Sequence, residues 1–313
     1  MNKFDCIIPT TLKDFEVAAD NLDCLLRRLP IDKIVFIGSK EVGKSVAALQ
    51  NDKIKFMNEN DIYPLDAVNE IMQNRAKNMY EEAKRYAGWY YQQILKFLYA
   101  NYCEGEYYLT WDSDTIPLHD VDMMKSKPVF HMKTEYHAPY FDTIYRLFGL
   151  ERKVELSFIS EHMLFSTQIV KQMIQEIEGN KCLEGDNFAE KVLNVVGDVG
   201  YSKLAFSEFE TYGTYVLHHY PEQYVLEKWI SLRRGNRYFS KEQLSDDELE
   251  RWLGKYYDAI SFEKAHTIAS AQSKIINQRW VRKIVSARMF EKSHEFLCRI
   301  RRISGKLCKT GKR

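Results

Sequence analysis

Short apolar runs separated by polar, turn-forming residues set the rhythm of the first hundred positions. Phe4-Asp5-Cys6-Ile7-Ile8 reads as a buried strand that turns at Pro9-Thr10-Thr11. Lys33 to Gly38 and Lys53 to Met57 repeat the pattern, and Leu12 to Arg28 between the first two runs has helical spacing. This succession predicts an α/β fold whose central sheet is mostly parallel and flanked by helices. Asp66 to Tyr86 and Trp89 to Tyr102 carry helical periodicity, and Pro128 to Met132 and Leu156 to Phe165 read as further strands. Helices are expected around 167–178 and 186–196.

The run Tyr107-Tyr108-Leu109-Thr110-Trp111 is different because it ends in two carboxylates, Asp112 and Asp114. Pro117 cannot donate to a ladder, so the strand should stop near Asp114. An extended backbone would turn both acids to one side. Their mutual repulsion is relieved by a hard divalent cation, Mn²⁺ or Mg²⁺, which prefers carboxylate oxygens and fills its shell with water and phosphates. Thr10 and Thr11 stand where an open α/β sheet takes its ligands, or else they cap the following helix. Gln92, Gln93 and Lys96 form a polar stripe that would aim at the same site, with Lys96 meeting a phosphate, or else face solvent.

A second phosphate-binding candidate lies earlier. Gly38-Ser39-Lys40-Glu41-Val42-Gly43-Lys44-Ser45 matches the spacing of a P-loop and follows a strand, which keeps open a nucleotide hydrolase or kinase. The helix it would need must begin at Lys44, and it runs out by Asn51-Asp52.

Four stretches together resemble the Asp-x-Asp, nucleotide-sugar-dependent glycosyltransferases of the GT-A fold, and more narrowly the bacterial DUF6492 group from surface-polysaccharide genes. They are Phe4 to Thr10, Gly88 to Lys96, Trp111 to Leu118 and Ser207-Glu208-Phe209-Glu210-Thr211-Tyr212-Gly213. The resemblance covers residues 1 to 235 and implies transfer of a sugar from a nucleotide-diphosphate donor to a saccharide or lipid-linked saccharide. It implies a catalytic base at Glu208 or Glu210, with inversion if one of them reaches the acceptor and a retaining route otherwise. It also implies a late metal ligand at His218 or His219 and acceptor contacts at Glu161 and His162. Read from spacing alone, Ser207 and Glu210 form a capping box, which leaves Glu208 as the first choice for base.

Composition narrows the class. The 313 residues, 45% hydrophobic and 28% charged, suffice for an ordinary globular domain with an appendage. The expected division is a glycosyltransferase domain over 1–235 and a helical, basic extension over 236–313. Six scattered cysteines without a Cys-x-x-Cys pair read as reduced thiols. No signal peptide or membrane-length apolar run is visible, so a cytoplasmic protein, or one peripheral to the inner membrane face, is expected.

Net charge is uneven. From Lys274 onward thirteen Lys and Arg face only Glu291 and Glu295, a local charge of +11 that leaves −10 for the rest of the +1 total. A charged helix is expected over Ser245 to Tyr256, and a long basic helix from Ser273 with Phe296, Ile300, Ile303 and Leu307 at helical spacing. Such a stretch, 274–313, suits an anionic membrane surface or stays solvated. No groove-reading motif accompanies it, so nucleic acid is not expected. A non-catalytic, membrane-associated scaffold remains the third reading.

Overall fold

The computed structural model describes residues 3–262, 274–290 and 292–293. The described residues fall into two compact units, one within Met1–Thr115 and Asp120–Trp229 and the other within Ile116–His119 and Ile230–Arg313.

In the first unit the apolar runs form β1 (Phe4–Pro9), β2 (Ile31–Gly38), β3 (Ile54–Asn58) and β4 (Tyr107–Trp111). The sheet order is β3-β2-β1-β4, closed by the edge strand β7 (His162–Ser166). All pairings are parallel except β4 with β7, which run antiparallel with Trp111 opposite His162. The chain thus moves outward from β1 to β3 and returns to β1's other side for β4. That reversal opens a crevice at the carboxyl ends of β1 and β4, where sheets of this kind take ligands. Between β4 and β7 in sequence lie β5 (Thr115–Pro117) and β6 (Val129–Met132), and β6 pairs in parallel with β8 (Val225–Lys228).

Two helices pack against these strands and against each other. Ala87–Leu98 buries Tyr90, Ile94 and Phe97, with Phe97 against Phe165 and Phe188 at 5.6 and 5.7 Å. Glu208–His219 buries its first ten residues, and Gly213 lets it approach Phe158, whose ring would lie 2.3 Å from an added Cβ.

Several sequence expectations change in detail. Leu12 to Arg28 is two helices, Leu12–Ala19 and Leu22–Arg28. The expected strand at Leu156 is regular only from His162, because Glu161 takes a left-handed backbone at φ +65°. The charged helix spans Asp247–Gly254 and is capped by Asp246 rather than Ser245. The P-loop reading fails on backbone grounds. Residues Lys40–Ala48 are already helical, so Gly43, Lys44 and Ser45 lie inside a helix instead of in a loop that could wrap a phosphate. Both glycines serve packing: a Cβ at Gly38 would sit 2.6 Å from Thr10 O, and one at Gly43 2.7 Å from the Phe56 ring.

In the second unit β9 (Ser231–Leu232) and β10 (Ala259–Ser261) pair in parallel, and β5 borders β10. The expected long basic helix is interrupted where it is described: non-helical residues 277–278 and 285–286 separate the helix Arg279–Ile284 from helical residues on either side. Phe296, Ile300, Ile303 and Leu307 lie outside the described residues. Cys6, Cys103 and Cys182 are free thiols. Among the described residues no helix is long and apolar enough to cross a membrane.

Candidate active site

β4 stops at Trp111, and the next four residues form a tight turn in which Thr115 N donates to Asp112 O at 3.1 Å. The two acids are therefore placed by a turn, not by strand pleating, and Asp suits the first turn position because its side chain caps local N–H groups. Asp112 N donates to Glu161 O at 2.9 Å, which ties this turn to the start of β7. That carbonyl is presented by the left-handed Glu161, a conformation costing about 1–2 kcal/mol for a residue with a Cβ. Lys133 pairs with the Glu161 carboxylate and Trp229 Nε1 donates to it at 3.2 Å, so the strained residue is held from both sides.

Helix Ala87–Leu98 delivers Lys96 to the same place. Its ammonium donates to Asp112 Oδ1 at 2.9 Å and to Glu208 Oε1 at 2.5 Å, and lies 4.5 Å over the Phe209 ring. The alternative that Lys96 faces solvent is thus corrected: its side chain is 3% exposed and pairs with two carboxylates. Burial alone would lower the Lys96 pKa, but Asp112 and Glu208 override it and hold the amine above its ordinary value. Burial pushes the Glu208 carboxyl up, against the pull of Lys96, and Asp112 pushes in the same direction.

Glu210 points elsewhere, as a residue two positions along a helix must. Its carboxylate accepts from Ser157 Oγ at 2.6 Å and Phe158 N at 3.2 Å, and burial raises its pKa. The expected capping box is half present: Ser207 Oγ accepts from Glu210 N, but the Glu210 side chain serves the 157–158 loop. Gln93 supplies a further cap, its Oε1 accepting from Glu208 N at 3.1 Å.

A cavity of about 440 Å³ opens at the carboxyl ends of β1 and β2, and Thr10, Thr11, Gln92 and Ser113 line it together. Ser113 sits between the paired acids, so the cavity adjoins their turn. The alternative reading of Thr11 holds as well: it caps Leu12–Ala19, accepting from Asp14 N. Trp89, Tyr91, Ser39 and Glu59 also line the cavity and were missed by sequence reasoning. Aromatics in the helical turn just before Gln92 were a usable signal for the first pair. Glu59 offered none, because only the crossover after β3 brings it there.

His218 and His219 are not brought to the acids. They end the helix that Glu208 begins, ten residues or about 15 Å away along its axis. His218 Nε2 lies 2.8 Å from Glu151 O, and His219 packs on Tyr215. Glu161 and His162, expected as acceptor contacts, are buried in the paired networks of Lys133 and His131. Among the described residues no group of three or more His, Cys, Asp or Glu converges as a metal cluster. The donor set fits a divalent ion in a narrower way. Asp112, with its side chain 36% exposed, and Asp114 supply hard oxygens from one turn, which suits an ion that takes its other ligands from water and phosphates.

A family model described as a family of unknown function, DUF6492, matches residues 1–299. The chain belongs to DUF6492. No curated protein matches it. Solved structures similar to this DUF6492 chain include mouse xyloside xylosyltransferase 1 in its apo form, at 11% identity and a TM-score of 0.42, covering 86% of this chain and 100% of that one. The galactosyltransferase LgtC with donor and acceptor sugar analogues is similar at 12% identity and a TM-score of 0.39, over 83% of this chain and 87% of that one. An active-site mutant of LgtC gives 12% identity and 0.38 over the same shares.

Proposed function

We propose that this DUF6492 chain is a GT-A-like glycosyltransferase that moves a sugar from a nucleotide-diphosphate donor to the hydroxyl of a saccharide or lipid-linked saccharide in bacterial surface-polysaccharide synthesis. The observation that carries this reading is the adjacency of two things. One is the cavity lined by Thr10, Thr11, Gln92 and Ser113 at the strand ends, and the other is the Asp112–Lys96–Glu208 cluster. A polar and aromatic cavity of this size takes a nucleoside, and the acids on its border suit the charged end of such a donor.

Asp112 and Asp114 would hold Mn²⁺ or Mg²⁺, which when bound neutralises charge developing on a diphosphate leaving group. Lys96 fixes the Asp112 carboxylate and limits the repulsion between it and Glu208. Glu208 accepts the proton of the attacking hydroxyl, for which a carboxyl raised by burial is better matched than an ordinary one. Glu210 is committed to Ser157 and Phe158, which favours Glu208 as the base. Direct attack with Glu208 as base inverts the anomeric centre.

The test is a thermal-shift screen of UDP-, GDP-, CDP- and dTDP-sugars with and without Mn²⁺. The right donor at many times its dissociation constant should stabilise the protein by about 2–4 kcal/mol. Turnover assays of Asp112→Asn and Asp114→Asn complete it. Turnover that survives the double substitution, or a product of retained anomeric configuration, would overturn the metal-site or base assignment respectively.

A further inference from the structure

Outside the candidate site, the second unit carries a run of large apolar side chains turned to water. Ile275 is 60% exposed, Trp280 64%, Ile284 71% and Met289 58%. Four such residues within fifteen positions are not scattered surface hydrophobics, which occur singly. The segment is nevertheless firmly seated. Ile276, Val281, Ala287 and Phe290 are buried, Phe290 packs edge-on against Tyr238 at 4.7 Å, and Trp252 Nε1 donates to Val285 O at 2.9 Å. The outward side chains are thus presented by an anchored backbone.

Exposed Arg279, Lys283 and Arg288 stand between them, and exposed Lys274 and Lys292 flank the run. Arg279 has acidic neighbours, with Nε 3.5 Å from Glu248 and an Nη 4.0 Å from Asp246. The chain beyond adds seven more cations against Glu295 alone, so positions 294–313 bring more charge of the same sign. A partner for this face must therefore be anionic and must also accept a tryptophan, two isoleucines and a methionine.

We infer that the 274–292 segment docks the protein on an anionic lipid surface, with Trp280, Ile284, Ile275 and Met289 entering the acyl boundary and the interleaved cations meeting headgroup phosphates. Tryptophan is favoured at that boundary, and an exposed apolar set interleaved along the chain with exposed Lys and Arg matches a surface that is oily below and charged above. Nucleic acid answers only the charge. The seat differs from the stripe expected at Phe296 to Leu307, and it stands whether or not the transferase reading does.

The experiment is co-sedimentation of the full chain with phosphatidylcholine vesicles, with and without phosphatidylglycerol, alongside tryptophan emission. Wild type should sediment with the anionic vesicles and shift its emission to the blue, and Trp280→Phe should lose most of that shift. Trp280→Ala with Ile284→Ala should weaken binding at least tenfold, and Lys283→Glu with Arg288→Glu by about fivefold per cation removed. All four side chains are exposed, and circular dichroism melts serve as the check that the variants fold. No sedimentation of wild type overturns the inference. So does unchanged binding by the apolar double variant, which would leave a purely electrostatic tail, or duplex nucleic acid that binds more tightly and displaces the vesicles.

Discussion

The ammonium of Lys96 lies 2.5 Å from Glu208 Oε1, with the two side chains only 3% and 6% exposed. Asp112 completes the cluster at 2.9 Å from the same nitrogen. One cation thus serves two carboxylates on different elements, and each member is costly without the others. Taking charges out of water is unfavourable, and removing one partner of a buried pair strands what remains.

Lys96→Met is therefore expected to lower stability by about 3 kcal/mol, the low end for breaking a buried pair because Asp112 keeps contact with water. Denaturant unfolding reads the loss. Adding Glu208→Gln should restore part of it, and a double-mutant cycle showing simple additivity would deny the coupling.

His162 gives a pH signature. Burial first, and then His131 2.7 Å away, hold its pKa well below the ordinary value of 6.5. Below that pH the unfolded chain binds a proton that folded His162 refuses. Its contribution is complete above 6.5 and falls by up to about 1.4 kcal/mol per pH unit as pH drops toward the folded pKa. Glu208 and Glu210 work in the opposite sense, since their raised folded pKa values favour the fold at low pH and lose that advantage as pH rises above about 4.5. Melting His162→Phe beside wild type between pH 5 and 7.5 isolates the histidine. Parallel curves would show that it does not titrate this way.

If Glu208 is the base, kcat/KM rises with pH through a limb above the ordinary glutamate value, since only the ionised carboxylate accepts a proton. Glu208→Gln should remove that limb and cost about 10²–10⁴ in rate, while Glu210→Gln keeps the limb. A pH–rate profile of all three proteins decides it.

Gly213→Ala sets two effects against each other. Alanine gains about 1 kcal/mol of helix propensity, but its Cβ would meet the buried Phe158 ring at 2.3 Å. Overpacking should win, leaving a net loss of about 1–3 kcal/mol in denaturant unfolding. Pairing it with Phe158→Leu should recover part.

Lys44→Ala is expected to change little, within about 0.5 kcal/mol, because Lys44 is exposed within a helix. Donor protection in the thermal-shift screen should also survive it. Loss of all nucleotide binding would revive a phosphate role for that segment.

Alternation and apolar runs were enough to locate β1 to β4, because parallel strands buried on both faces need continuous hydrophobic residues. The P-loop spelling shows the limit of local pattern. Its letters are correct, yet Gly38 and Gly43 answer to Thr10 and Phe56, which are distant in sequence. The capping box is only half made for a related reason, since the Glu210 side chain is taken by Ser157 and Phe158, also distant in sequence.

From its residues alone this chain declared a mostly parallel sheet, paired acids at the end of a strand and a basic C-terminal stretch, each a matter of neighbours along the chain. Tertiary structure decided which side chains meet. It turned Lys96 inward between Asp112 and Glu208, bound Glu210 to Ser157 and Phe158, and left Trp280 facing water. Charges separated by many residues interact only when folding brings them together and removes the solvent between them, and no local pattern records that distance.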